Sequence, residues 1–122
     1  MIEDILLTKG EVKDGMYKAV FGREVKMECG CTVGNTMGVN TWAAFAGSDD
    51  NALVDGDFAI LENELQPVLK SLRASGINIV AIHQHMVGES PRILFLHYWG
   101  RGSAQQLAKS LKEALSVQQK VL

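Results

Sequence analysis

The chain has 122 residues, of which 47% are hydrophobic and 21% charged, and its formal net charge at pH 7 is −2. This composition excludes disordered and collagen-like chains, and the length predicts a single domain spanning residues 1–122. The lack of a basic block argues against nucleic-acid binding, and no apolar run approaches the ~20 residues that cross a membrane.

The first half of the chain has patterns typical of strands. Asp14-Gly15 lies between two strand-like runs and predicts a hairpin, because both central turn positions favour φ > 0. A second hairpin is predicted from runs at 41–47 and 52–61 around a polar turn. Between them, strict alternation predicts one strand over 25–33, whose apolar face carries Val25, Met27, Cys29, Cys31 and Val33.

The second half predicts a helix, a hairpin and another helix. Asn63, with Gln66 at the capping-box position, predicts the start of the first helix, and Gly76 predicts its end. Strands are predicted at 77–87 and 92–100, and Ser103 opens the second helix. The apolar stripes of the two helices are Leu65, Val68, Leu69 and Leu72, and then Ala104, Leu107, Ala108, Leu111, Ala114 and Leu115. The chain is therefore predicted to be an α+β fold, a mostly antiparallel sheet built from hairpins with two amphipathic helices packed on one face.

All three histidines fall on the predicted 77–100 hairpin. His83 and His85 are two residues apart on one strand and so point to the same face. A register that pairs residues whose numbers sum to 180 across the turn near Glu89 and Ser90 would place His83 opposite His97, with Cβ atoms ~4.5–5.5 Å apart. Three imidazoles at that spacing suit a divalent transition metal such as Zn, Fe or Ni, and we predict His83, His85 and His97 as its ligands.

Three further residues of this hairpin are candidates for chemistry. Glu89 could supply a fourth ligand or act as the catalytic general base on metal-bound water. Arg92 is predicted to bind an anionic ligand, although a solvated charge at the strand end is an equally simple interpretation. Trp99 is predicted to line a pocket or a subunit interface. The alternative for the histidines themselves is hydrogen bonding at the end of an apolar strand face.

Two other groups are interpreted as structural. Cys29 and Cys31 are predicted to be packed as small apolar side chains without a disulfide, and a soft-metal site is the alternative. The acidic residues at 49–57 do not fit an EF-hand loop, and they predict a polar turn followed by a solvent-facing strand face rather than a calcium site.

Several segments together resemble one known family. The resemblance rests on the runs 42–45, 54–57, 62–68 and 76–77, on His83-Gln84-His85, on 88–92, on His97 and on Gly100-x-Gly102. Over about residues 15–115 the chain resembles the LppY/LpqO family of bacterial domains of unknown function. Some members of that family resemble secreted lipoproteins. The family has no established activity, so the resemblance emphasises the histidine hairpin without implying a substrate.

These observations give two principal hypotheses of function. The first is a metal-binding domain, acting as a metal-dependent enzyme on a small ligand. The second is a non-catalytic ligand-binding or homo-oligomeric interaction module, with a homodimer expected. A third is pH sensing by the clustered histidines. The acidic N-terminus has no signal-peptide pattern, which predicts a cytoplasmic protein, or a secreted one if a leader peptide precedes the sequence.

Overall fold

A computed structural model describes residues 2, 10–13, 15–23, 25–27, 29–34 and 39–121. The strands are β1 Glu11–Lys13, β2 Met16–Gly22, β3 Val25–Lys26, β4 Thr32–Val33, β5 Asn40–Gly47, β6 Ala52–Leu61, β7 Asn78–His83 and β8 Ile93–Gly102. The helices are α1 Leu65–Ala74, which follows a 3₁₀ turn at Glu62–Glu64, and α2 Ala104–Val121. The fold is α+β, as predicted.

Six of the strands form one antiparallel sheet in the order β1-β2-β5-β6-β8-β7, and β3 and β4 form a separate pair. The two hairpins predicted in the first half are confirmed as β1–β2 and β5–β6. The chain leaves β6 through α1, enters β7 at the sheet edge and returns as β8 between the two. Strand β8 therefore contacts both β6 and β7, which are far apart in sequence.

The two faces of the sheet have different surroundings. Even-numbered residues of β6 and β8, such as Phe58, Leu96 and Tyr98, are buried in a core with residues of both helices. The residues predicted as the apolar stripe of α2 are all buried in this core. The opposite face, here called the open face, carries the odd-numbered residues of β6 and β8.

One end of the open face is covered by a small apolar cluster. Val39, Ala59, Ile93 and Phe95 are buried there, and the partly buried Met27, Leu61 and Met86 pack against them. Arg23, directly after β2, is held beside this cluster. Its guanidinium donates hydrogen bonds to both carboxylate oxygens of Glu64, at 2.6 and 3.0 Å, and to the Ala59 carbonyl oxygen at 2.8 Å. Beyond this cluster the open face carries partly exposed side chains, among them Asp55 and His97.

The ends of the helices confirm two predictions and correct a third. Gly76 has φ 78°, and the hydrogen bonds from Gly76 N to Arg73 O and from Ile77 N to Leu72 O form a Schellman motif. Ser103 Oγ accepts a hydrogen bond from Gln106 N at 3.1 Å and so caps α2. Asn63 does not begin α1, because it lies within the 3₁₀ turn that precedes the helix. The side chain that accepts a hydrogen bond at this end is Glu64, whose Oε1 lies 2.7 Å from Leu61 N.

The segment 25–33 is not the single strand that its alternation predicts. It folds back on itself as β3 and β4, with Gly30 at φ 82° in the turn. Cys29 and Cys31 are exposed and form a disulfide, so the prediction of buried, unpaired thiols was wrong. The physical reason is the turn: the Cα atoms of the two cysteines lie 5.4 Å apart, within disulfide range, whereas residues i and i+2 of an extended strand are farther apart.

Candidate metal centre

The register of three strands determines which side chains meet on the open face. His97 in β8 lies between Asp57 in β6 and Ala81 in β7, and His83 lies opposite Phe95. The predicted pairing of His83 with His97 was therefore wrong by two residues. The pairing of His83 is set by the connection that follows it, which is longer than the predicted four-residue turn. The register shift between Ile79 and Ala81 lies on the other side of His83 and changes only the pairing of Asn78 and Ile79. A shift of two keeps His83 on the same face as His97, as expected for a side-chain period of two.

His97 is held by two carboxylates. Its Nδ1 lies 2.6 Å from Asp57 Oδ1, and its Nε2 lies 3.2 Å from Asp55 Oδ1. The Trp42 ring lies beside it, with a centroid distance of 6.5 Å. Both nitrogens of the imidazole thus face acidic oxygens, which fixes the ring and orients both aspartates.

His83 and His85 are arranged around the Phe95 ring. The His85 ring stacks on Phe95 at a centroid distance of 3.5 Å and an angle of 7°. The His83 ring stacks beside it, 5.0 Å from His85 and 6.1 Å from Phe95. Both histidines are exposed to solvent on their other sides. Phe95 therefore serves as a rigid, buried support for two accessible imidazoles.

The ring environment favours neutral His85. Partial burial and the neighbouring His83 lower the pKa of His85 below its ordinary value of 6.5, and the negative charge of Asp57 opposes them. Neutral imidazole is the form that binds metals, so this shift keeps His85 available as a ligand near neutral pH.

Asp57, His83 and His85 form the candidate metal centre. One ligand atom from each lies within 4.8 Å of the others. The sequence predicted the two histidines of this group and did not predict Asp57. His97 is not in the group; it contacts Asp57 instead. Its assignment as a direct metal ligand stays a prediction.

The other predicted site residues lie at different places around this centre. Glu89 is partly buried and outside the group, and within the described part of the chain its Oε2 is a buried oxygen without a hydrogen-bond partner. Arg92 is exposed and forms an ion pair with Glu62 at 3.2 Å. Trp99 is 38% exposed and lies opposite Asp55 on the open face. Its role at a pocket or a subunit interface stays a prediction.

A sequence signal for Asp57 exists, although it is weak. In the run Val54-Asp55-Gly56-Asp57-Phe58 the carboxylates alternate with residues of the buried face. The alternation predicted a solvent-facing strand surface, and the structure confirms that Asp55 and Asp57 lie on the open face. It could not predict the histidines beside that surface, since Asp57 and His97 are 40 residues apart in the chain.

Comparisons with known proteins identify the family. A family model described as Domain of Unknown Function (DUF1259) matches residues 1–117. The chain belongs to this family. The more specific assignment to LppY/LpqO proteins stays a prediction. No curated protein matches the chain significantly, and neither does any solved structure.

The DUF1259 family description names no activity. Neither helix within the described residues is both long enough and apolar enough to span a bilayer.

Proposed function

We propose that this protein binds a divalent transition metal through Asp57, His83 and His85 on the open face. The observation that supports the proposal is the group of three ligand atoms within 4.8 Å of one another. In a tetrahedral site with bonds of ~2.0–2.2 Å, ligand atoms lie about 3.5 Å apart. The proposal therefore requires the exposed histidine side chains to rotate until the three atoms reach that spacing.

The surroundings of the three ligands suit a metal site. Asp57 is oriented by His97, which Asp55 holds from its other nitrogen. Hydrogen bonds of this kind to ligand side chains fix their direction and raise metal affinity. A set of two imidazoles and one carboxylate fits Zn, Fe or Ni, which such ligands do not separate strongly.

Three protein ligands leave a coordination position for water or a small ligand, as in metal-dependent enzymes. In this proposal Glu89 is the general base, since its buried oxygen has no hydrogen-bond partner within the described residues. Trp99 contacts the ligand from the open face. Arg92 binds an anionic group of the ligand after releasing Glu62.

Metal binding is tested by titrating the purified, untagged protein with Zn²⁺ and Ni²⁺ in a calorimeter. The cysteines are replaced in all samples (Cys29→Ser with Cys31→Ser), so that thiols contribute nothing. We expect one metal per chain. His83→Gln, His85→Gln and Asp57→Asn should each weaken metal binding by more than about 100-fold. This loss is larger than the one expected when a residue that only hydrogen-bonds a ligand is replaced.

The matched control is Asp50→Asn, which removes an exposed carboxylate in the β5–β6 turn and should leave affinity unchanged. Asp57→Asn is the decisive variant, because two neighbouring exposed histidines alone bind metals weakly. Binding that persists in Asp57→Asn, or a wild-type protein that takes up no metal, would contradict the proposal.

A second candidate function, a homo-oligomeric interaction module, is favoured by the edge strand β7. It lies at the end of the sheet order, and it exposes Val80 at 57% and Ile82 at 44%. An edge strand with exposed β-branched residues offers free backbone groups to a second copy of the chain.

Light scattering after size exclusion separates the two candidates. A dimer that is indifferent to chelator and that Ile82→Lys dissociates, with no thermal shift on adding Zn²⁺ or Ni²⁺, supports the module. A monomer that Zn²⁺ or Ni²⁺ stabilises against heat supports the metal-binding proposal and excludes the module.

A further inference from the structure

The disulfide between Cys29 and Cys31 has features that a purely structural cross-link does not need. Both cysteines are exposed, and they are separated by the single residue Gly30. The stabilisation that a disulfide gives by restricting the unfolded chain grows with the length of the loop it closes. A loop this short gains very little from the bond.

The turn that contains the disulfide is also held by other contacts. Gly30 N donates to Met27 O, and Met27 N donates to Cys31 O, each at 2.9 Å. The pairing of β3 with β4 continues the hairpin away from the turn. At its other end, Lys26 and Ser90 exchange two backbone hydrogen bonds of 2.7 Å. None of these hydrogen bonds involves a sulfur atom, so we expect the hairpin to keep its shape when the sulfur–sulfur bond opens.

The two sulfur atoms are not equivalent. The Cys31 N–H donates a hydrogen bond to Cys29 Sγ at 3.3 Å. A donor at this position stabilises negative charge that develops on the Cys29 sulfur, and thiol–disulfide exchange is faster when the leaving sulfur carries negative charge easily. The geometry makes Cys29 the better leaving sulfur and leaves Cys31 as the sulfur to be attacked.

From these observations we propose that Cys29–Cys31 is a thiol–disulfide exchange site whose partner is a thiol reductant. The thiolate of the reductant attacks Cys31 Sγ, a bond forms between these two sulfurs, and the Cys29–Cys31 bond breaks with Cys29 leaving as thiolate. A second reductant thiolate attacks the reductant sulfur of the mixed disulfide and releases Cys31 as thiolate. The two cysteine thiolates take the protons that the two reductant thiols gave up. The protein disulfide gains two electrons, and the two thiols are oxidised to one disulfide.

The test uses the intact wild-type protein in chelator, with thiols counted by mass spectrometry after maleimide labelling. Before reduction we expect no labelled thiol. After equilibration with about 5 mM glutathione, a physiological monothiol, we expect two labels on more than half of the molecules. Far-ultraviolet circular dichroism should be unchanged by the reduction. A dithiol reductant in a parallel sample should give the same two labels without a detectable mixed disulfide.

Two results would overturn the proposal. One is labelling of both cysteines before any reductant is added, which would mean that the native protein holds free thiols. The other is a disulfide that resists both reductants until the protein is unfolded by urea, which would make it a structural cross-link.

The asymmetry between the sulfurs has its own test in two single variants. Cys31→Ser leaves Cys29 with the backbone donor, and Cys29→Ser leaves Cys31 without it. At pH 7 the thiolate absorbance of Cys31→Ser should exceed that of Cys29→Ser by roughly tenfold, as one net hydrogen bond to a charged sulfur predicts. Equal or reversed absorbance would contradict the assignment of Cys29 as leaving sulfur. The double serine variant gives the baseline.

Discussion

Asp57 joins the two parts of the candidate site. One of its oxygens lies 2.6 Å from His97 Nδ1, while the same carboxylate belongs to the ligand group with His83 and His85. A carboxylate that both binds a metal and accepts a hydrogen bond from a second histidine is a common arrangement in metalloproteins. In the proposed site His97 is a positioning residue, whereas the sequence pattern predicted it as a ligand.

Replacing His97 separates these two interpretations. We expect His97→Gln to weaken Zn²⁺ binding by about 10–100-fold, because Asp57 loses the partner that orients it. The measurement is calorimetric titration in the serine background described above. Lys18→Gln is the matched control: Lys18 lies on the same face, with its Nζ 4.8 Å from the centre of the Trp42 ring, and it is not one of the proposed ligands. A loss as large as that of His83→Gln would instead make His97 a ligand.

Tyr98 makes the free energy of unfolding depend on pH. It is fully buried, its hydroxyl donates to Trp42 O at 3.0 Å, and Gly56 beneath it leaves no room for a Cβ atom. Burial raises the pKa of Tyr98 well above its ordinary value of 10.0, and the charges of Asp55 and Asp57 add to the rise. In the unfolded chain the phenol ionises near pH 10, while in the folded protein it stays protonated.

The free energy of unfolding should therefore fall as the pH rises above about 10, by up to ~1.4 kcal/mol per pH unit from this residue. Below pH 10 we expect Tyr98→Phe to be less stable than wild type by about 1 kcal/mol, through the lost hydrogen bond. Above pH 10 this difference should shrink, because the phenylalanine variant has no group to ionise. Urea unfolding at pH 8, 10 and 11 measures it. A difference that stays constant over this range would contradict the account.

Among the elements, the connection from β2 to β5 depends on one buried ion pair. The Glu64 carboxylate is fully buried at the start of α1, where it binds the Arg23 guanidinium and the Leu61 N–H. Arg23 also binds Ala59 O, which receives a further short hydrogen bond from the Gln118 amide of α2. Arg23 is thus held against β6 and the 3₁₀ turn before α1, and it shares the Ala59 carbonyl oxygen with Gln118 of α2.

Breaking this pair should cost far more stability than breaking an exposed one. We expect Glu64→Gln to lower the free energy of unfolding by about 3 kcal/mol, since it leaves a nearly buried guanidinium without its counter-charge. Glu62→Gln, which breaks the exposed pair with Arg92, should change it by less than about 1 kcal/mol. Urea unfolding of the two variants decides: equal losses would show that the Arg23 contact is not structurally important.

The sequence predicts an element correctly when residues close together in the chain specify it. The β5–β6 hairpin and the cap at Ser103 are specified by residues within a few positions of each other, and both are confirmed. The segment 25–33 also has a local pattern, but alternation alone does not reveal a reversal in the middle. Gly30 was the available signal for that turn, because a positive φ is inexpensive only for glycine.

For the molecule as a whole, the candidate site is a product of strand order. Asp57 meets His97 because β8 returns between β6 and β7, and the histidines reach Asp57 from the far side of β8. Pairing between strands separated by a helix is set by packing of the whole sheet. The position of the register shift in β7 is likewise not encoded in any short motif. The sequence could therefore place His83 and His85 on one face and could not name their third partner.

The two faces of the sheet differ in what they carry. The helix-covered face contains the larger apolar core, and the open face leaves polar side chains accessible where the small cluster around Phe95 ends. The exposed disulfide lies on the β3–β4 hairpin, separate in sequence from the proposed ligands. Metal binding and thiol exchange can therefore be tested separately, with variants of different residues.

The central claim, that Asp57, His83 and His85 bind one ion, is tested most directly by a crystal structure with anomalous diffraction from protein grown with Zn²⁺. The account predicts one anomalous peak on the open face, ~2.0–2.2 Å from a nitrogen of each histidine and an oxygen of Asp57. A peak bound elsewhere, or imidazoles that turn away from Asp57 in the presence of the metal, would contradict it.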